Sequence, residues 1–235
     1  MPIAQSLRGL APARWRDDPR LRALALGAGL IPPRTMHSPA EAAALARRAS
    51  GARRVVELGV YEGSSAVVLI NALGPAGELH LIDPFIDASG WALRAGWQAN
   101  PIATRLAVRR ACRHHGPQIR WHLARSQDVG RAWAGAPVDF VFIDGDHSPQ
   151  GVREDWEAWR GHIAAGGAAA FHDARAGRPG GQGGPGPTSV VDELFREHTG
   201  SVPDWAIVEE VDSLVVVQRA VCFWPSDAAA VTLAG

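Results

Sequence analysis

The chain has 235 residues, with 24 basic and 24 acidic side chains, so its formal net charge is zero. That balance gives no electrostatic handle for nucleic acid or an anionic membrane surface. Its two cysteines, Cys112 and Cys222, make no disulfide framework, no apolar run reaches membrane-spanning length and no signal-peptide core opens the chain, so a cytoplasmic protein is expected.

Every basic residue is arginine. Without lysine, a proton acceptor has to come from His, Asp, Glu or the single tyrosine, Tyr61.

In chain order, residues 1–37 are rich in Arg and Pro and read as an arm or helical cap, with a short helix over 17–27. Ser38-Pro39-Ala40-Glu41 has the pattern of a capping box and starts a helix ending at Gly51. An apolar strand over 54–59 leads into Gly59 and Gly63, whose freedom at positive φ allows a tight turn and close approach to a ligand. Ser64 and Ser65 open a helix that closes at Gly74-Pro75, and a strand over 78–83 ends on Asp83. The segment 84–99, with Trp91 and Trp97, has the length of a binding loop or lid, or serves to close the core. Helix 101–115, strand 119–124, helix 126–133 and strand 138–144 follow. Helix 149–165 places Val152, Trp156, Trp159 and Ile163 on one face, as core. Strand 167–173, a glycine- and proline-rich loop 174–187 and helix 188–199 come next. Strands 205–211 and 214–219 form a hairpin at Asp212-Ser213, and a tail begins at residue 220.

Alternating strands and helices imply an α/β fold: a doubly wound, mostly parallel, seven-stranded sheet with an antiparallel terminal hairpin. The domain spans 38–219. Ligands on such sheets lie beyond the carboxyl ends of the strands, and four strands here end in acids: Glu57, Asp83, Asp144 with Asp146, and Asp173. Asp83, 20 residues after Gly63, suits the hydroxyls of a ribose, or else caps a turn before Pro84. Ser126 and Asp128 sit at the same edge. Asp144 and Asp173 end neighbouring strands, and two close carboxylates call for a cation between them, a hard ion such as Mg²⁺ suiting oxygen donors. His147 follows three residues after Asp144, and an imidazole near its ordinary pKa is a workable general base. The alternatives are a turn at Asp144-Gly145 and structural roles for His147 and His172.

The run Glu57-Leu58-Gly59-Val60-Tyr61-Glu62-Gly63-Ser64-Ser65, with Phe142-Ile143-Asp144-Gly145-Asp146-His147 and Phe171-His172-Asp173, resembles the class I S-adenosylmethionine-dependent O-methyltransferases. The likeness extends over about residues 36–219 and leans toward the metal-dependent catechol-type enzymes and the macrolide-sugar branch. The resemblance implies a Rossmann-like methyltransferase fold, S-adenosylmethionine as cofactor, Mg²⁺ or another divalent cation, and a small-molecule hydroxyl acceptor. It implies that Glu57, Gly59 and Gly63 line the methionine part, Ser64 also binds the cofactor, Tyr61 lies near the sulfonium methyl, Asp83 holds the ribose, and Ser126, with Asp128 as a further candidate, lies near the adenine. Asp144, also beside the cofactor, matches a metal ligand, as does Asp173, and His147 matches the catalytic base of the sugar enzymes. Two positions depart: Ala174 stands where the catechol type has asparagine, and His172 stands where the sugar enzymes have an acid, so that His172 is a third ligand, for a softer metal, or water completes the shell, or the metal is weakly held. No nucleic-acid or membrane partner is expected, and the arm offers contacts for a homo-oligomer. The competing readings are a nicotinamide-dependent oxidoreductase, disfavoured by the glycine spacing, and a non-catalytic cofactor-binding protein.

Overall fold

The computed structural model describes residues 18–85, 99–113, 116–178, 185–197 and 202–221. The loop with Trp91 and Trp97, His114 and His115, the first 17 residues and most of the tail lie outside them.

Helix α1 (Pro19–Ala28) is capped by Asp18, whose carboxylate accepts from the backbone N–H groups of Arg20 and Leu21. Helix α2 (Pro39–Ala49) has the expected capping box: the Ser38 hydroxyl accepts from Glu41 N, and the Glu41 carboxylate accepts from Ser38 N. Then come β1 (Arg54–Leu58), α3 (Ser64–Ala72), β2 (Glu78–Ile82), α4 (Pro101–Ala111), β3 (Gln118–His122), α5 (Ser126–Arg131), β4 (Val138–Ile143), α6 (Pro149–Trp159) and β5 (Ile163–Phe171). Helix α7 (Pro185–Val191), a π-helical stretch Asp192–Glu197, and β6 (Trp205–Val211) and β7 (Leu214–Arg219) complete the fold.

The seven strands are ordered β3-β2-β1-β4-β5-β7-β6. The first five are parallel, and β7 joins β5 antiparallel. The β6–β7 turn is as expected, with Asp212 at φ 48°, a left-handed conformation its short polar side chain tolerates. The sheet is mixed, and its sandwich of helices follows from the strand period of two. Val55, Leu79, Phe140, Phe142, Ala170 and Val216 face one way, against Leu45, Leu69 and Ile70 of α2 and α3. Val56, Leu58, Val141, Ile143, Phe171 and Val217 face the other, against Val152, Trp156 and Trp159 of α6.

Some boundaries differ from expectation. Helix α6 stops at Trp159, passes through a 3₁₀ turn (Arg160–His162), and strand β5 starts at Ile163, four residues early. The extra strand length is absorbed by a register shift between Val138 and Phe140, with Gly166 at φ 79°. Ile163 is buried as expected, but as the first residue of that strand. Helix α4 ends at Ala111, before the predicted limit at 115. Among the described residues, no helix is long and apolar enough to cross a membrane.

Candidate functional site

The switch in strand order between β1 and β4 opens the sheet edge where residues 59–63, 83 and 144–147 meet. Gly59 (φ 85°) has a structural reason to be glycine: a Cβ there would lie 2.1 Å from the Asp144 carbonyl oxygen. The turn after β1 therefore nests against the end of β4, with Asp144 N donating to Leu58 O at 2.9 Å. Gly63 (φ 87°) is the N-cap of α3.

Asp83 braces this turn. Its Oδ2 accepts from Val60 N and Tyr61 N, both at 2.9 Å, and its Oδ1 accepts from Phe85 N at 2.6 Å. Tyr61 sits at φ 51° and its hydroxyl pairs with the Arg34 guanidinium at 3.1 Å. Ser64 contacts His37 Nε2 at 3.1 Å. Glu57 is fully buried; one carboxylate oxygen accepts from Ser65 Oγ on α3 and the other has no partner. Burial pushes its pKa well above the carboxylate range, and Asp144 and Asp83 add to the rise. The Ser126 hydroxyl donates to Asp155 on α6, and burial lifts Asp155 to about 7. Asp128 is exposed and pairs with Arg131.

On the other side of the switch, acids and imidazoles alternate. His147 Nε2 lies 3.1 Å from Asp144 Oδ1, and its Nδ1 lies 3.2 Å from Asp173 Oδ2. His172 Nδ1 lies 3.0 Å from Asp144 Oδ1 and 3.7 Å from Asp173 Oδ1, and its Nε2 lies 3.6 Å from Glu41 Oε2. Burial pulls both imidazoles down, but the carboxylates win: His147 is pushed up to about 9 and His172 to about 11. Burial would raise Asp144, yet His172 and His147 hold it well below the carboxylate range. His147 thus departs from the near-neutral pKa on which its role as base was premised: with a carboxylate on each ring nitrogen, it is a cation at neutral pH.

Donor atoms of Asp144, His147 and His172 lie within 4.8 Å of one another. The sequence reading put Asp173 in that set; in the structure Asp173 stands against the far nitrogen of His147, at φ 55° in the turn after β5.

Three contributors escaped the sequence reading. Glu41 was legible as a cap but not as a neighbour of His172. Its Oε1 also accepts from Ser213 N (2.8 Å) and Oγ (2.6 Å), joining α2 to the terminal hairpin. Glu62 is buried and receives two bonds from Arg22 of α1 (2.6 and 2.5 Å) and one from Arg34 N (2.6 Å), clamping the arm onto the glycine turn. Asp155 is the third. None has a local signal, because each partner is distant in sequence.

A glycine turn bound to the carboxylate of the next strand, at the switch point of a 3-2-1-4-5-7-6 sheet, defines the methyltransferase class of α/β folds. A family model described as "Methyltransferase domain" matches residues 56–174, about half of the chain, and the chain belongs to that family. Solved structures share the fold. A Corynebacterium glutamicum protein is 18% identical with a TM-score of 0.58, covering 92% of this chain and 95% of its own. TomG from Streptomyces achromogenes, an O-methyltransferase of tomaymycin synthesis solved with SAM, is 19% identical, with a TM-score of 0.53 and coverage of 87% and 90%. An O-methyltransferase from Bacillus cereus in complex with SAH is 18% identical, with a TM-score of 0.53 and coverage of 92% and 96%.

Proposed function

We propose that this chain transfers the methyl group of S-adenosylmethionine to a hydroxyl of a small molecule, of sugar or polyphenol type, with a divalent cation assisting. The observation that carries this reading is the junction of two half-sites through one residue: Gly59 packs on the backbone of Asp144, whose carboxylate belongs to the acid–imidazole cluster. That junction sets a cofactor turn beside a cluster suited to an acceptor oxygen. The S-adenosyl ligands of TomG and the Bacillus cereus enzyme support the choice of cofactor.

In this reading Gly59, Gly63, Ser64 and the buried Glu57 surround the methionine part, with Tyr61 toward the methyl group. Asp83 keeps acceptor capacity for ribose hydroxyls, because a carboxylate offers about four lone-pair sites and three backbone bonds are in place. Ser126, held by Asp155, lies toward the adenine. A cation fits the cluster, since convergent donors and buried unpartnered polar atoms (Asp173 Oδ1 and both His172 nitrogens) occur together. When bound, it would lower the pKa of the acceptor hydroxyl. His147 has the most exposed side chain of the cluster, which leaves it open to an acceptor. It serves as proton acceptor only once a positive charge relieves its two carboxylates. Positioning of the hydroxyl against the sulfonium supplies much of the rate.

The test is incubation with labelled S-adenosylmethionine and a panel of vicinal diols, with and without chelator, alongside thermal shifts with S-adenosylhomocysteine and NAD. Label transfer and an S-adenosylhomocysteine shift are expected; a shift with NAD alone would return the oxidoreductase, and tight homocysteine-ligand binding without turnover would favour a binding protein.

A further inference from the structure

The cluster holds more nitrogen than a Mg²⁺ site needs, and the arrangement of that nitrogen is specific. Asp144 Oδ1 lies 3.1 Å from His147 Nε2 and 3.0 Å from His172 Nδ1. Donors about 2.1 Å from an ion and at right angles to each other lie about 3.0 Å apart, against about 3.4 Å for a tetrahedron. A hydrogen bond has the same length, so direction decides. His147 Nε2 does bond Asp144. His172 is 3% exposed and neither of its ring nitrogens has a hydrogen-bond partner, despite the 3.0 Å approach to Asp144. Its Nδ1 is aimed beside the oxygen rather than at it, as two donors sharing a third body are.

The far side of each ring is also occupied. His147 Nδ1 faces Asp173 Oδ2 at 3.2 Å, and His172 Nε2 faces Glu41 Oε2 at 3.6 Å. Asp173 behind His147 fixes that ring's orientation and raises its basicity as a ligand, the usual support of metal-bound histidine, whereas Glu41, at 3.6 Å and not hydrogen-bonded to His172, acts on the second ring through its charge. Glu41 is itself immobilised by Ser38 N and by both polar atoms of Ser213.

We infer that Asp144, His147 and His172 form a two-histidine, one-carboxylate site for a first-row transition ion such as Fe²⁺, Co²⁺ or Zn²⁺, in preference to Mg²⁺, with Asp173 and Glu41 as the supporting carboxylates. The inference deepens the methyl-transfer reading and rests on it for the site's purpose. Imidazole suits these ions, whereas Mg²⁺ favours carboxylate, carbonyl and water oxygens. One role in the proposed function is thereby replaced: with Nε2 on the ion and Nδ1 against Asp173, His147 would hold the ion instead of taking the hydroxyl proton, and Glu41 becomes a positioning residue.

The experiment uses the full chain, stripped with chelator and titrated with CoCl₂ while the visible absorption of the ion is followed. A ligand-field band saturating at one Co²⁺ per chain is expected, abolished by equimolar ZnCl₂ and unmoved by a large excess of MgCl₂. His147→Gln and His172→Gln should each remove the band, and Glu41→Gln should weaken Co²⁺ binding by roughly ten- to a hundredfold. Displacement of Co²⁺ by Mg²⁺ at comparable concentration overturns the inference. So does a band that survives in the doubly substituted His147→Gln, His172→Gln chain, or the absence of any band in the unsubstituted chain. The competition arm needs no variant and so stands even where a substitution impairs folding. S-adenosylhomocysteine binding, measured on the same samples by calorimetry, reports separately on the methyltransferase reading: its loss with the Co²⁺ results intact would sink that reading and leave the metal site.

Discussion

Apart from Glu57, which leaves one buried oxygen unpartnered on the β1 side, the two sides of the sheet edge use carboxylates in opposite ways. On the β1–β2 side, Asp83 and Glu62 spend their oxygens on backbone N–H groups and an arginine, and the product is a braced turn. On the β4–β5 side, Asp144 and Asp173 face imidazoles, and the product is a cluster with unpartnered buried atoms. A satisfied carboxylate organises a fold; an unsatisfied cluster is a site for something else.

The largest effect should come from the residue that joins them. Gly59→Ala adds a Cβ 2.1 Å from a backbone oxygen at a φ of 85°. Backbone has to move, so a loss of at least about 4 kcal/mol, or failure to fold, is expected in denaturant unfolding. A mild effect would mean that the two sides are less tightly nested.

Next, His147→Ala should lower methyl transfer by about 10²–10⁴-fold while S-adenosylhomocysteine binding persists. Loss of binding as well would erase the distinction between the braced side and the charged one.

A pH series adds a second test, because two buried groups outside the acid–imidazole cluster are displaced in opposite directions. Burial lowers His80 of β2 to about 4, against the opposing pull of Glu78. The unfolded chain binds its proton first, so this contribution is full above about pH 6.5 and is lost as pH falls toward 4, by at most about 3 kcal/mol. Asp155 of α6 is raised to about 7 by burial. Here the folded chain binds the extra proton, so stability is full below about pH 4 and declines as pH rises through 7, again by up to about 4 kcal/mol. Asp155→Asn should therefore raise the melting temperature above neutrality and change little in acid. Equal effects at both ends would contradict the assigned shift.

The smallest effect concerns the arm. Arg22→Ala removes two charge-assisted bonds to buried Glu62, with an expected cost of about 1.5–3 kcal/mol. Increased proteolysis ahead of Ser38 would accompany it.

Periodicity and local chemistry carried the fold. The capping box at Ser38, the glycine turn, the tryptophans of α6 and the hairpin at Asp212-Ser213 were legible because each depends on neighbours a few residues away. So was the gathering of acids at the strand ends, which follows from a parallel sheet having one carboxyl edge. What the amino-acid order did not reveal is how those acids are shared out. Asp83 went to a backbone turn, Glu57 to Ser65, and Glu41 crossed from a helix cap to His172. His147 acquired a carboxylate on each nitrogen, and with it a pKa far from that of a lone imidazole. Hydrogen-bond partners and electrostatic environment depend on distances between residues far apart in the chain. Only the packing of α2, the hairpin and the ends of β4 and β5 onto one another sets those distances.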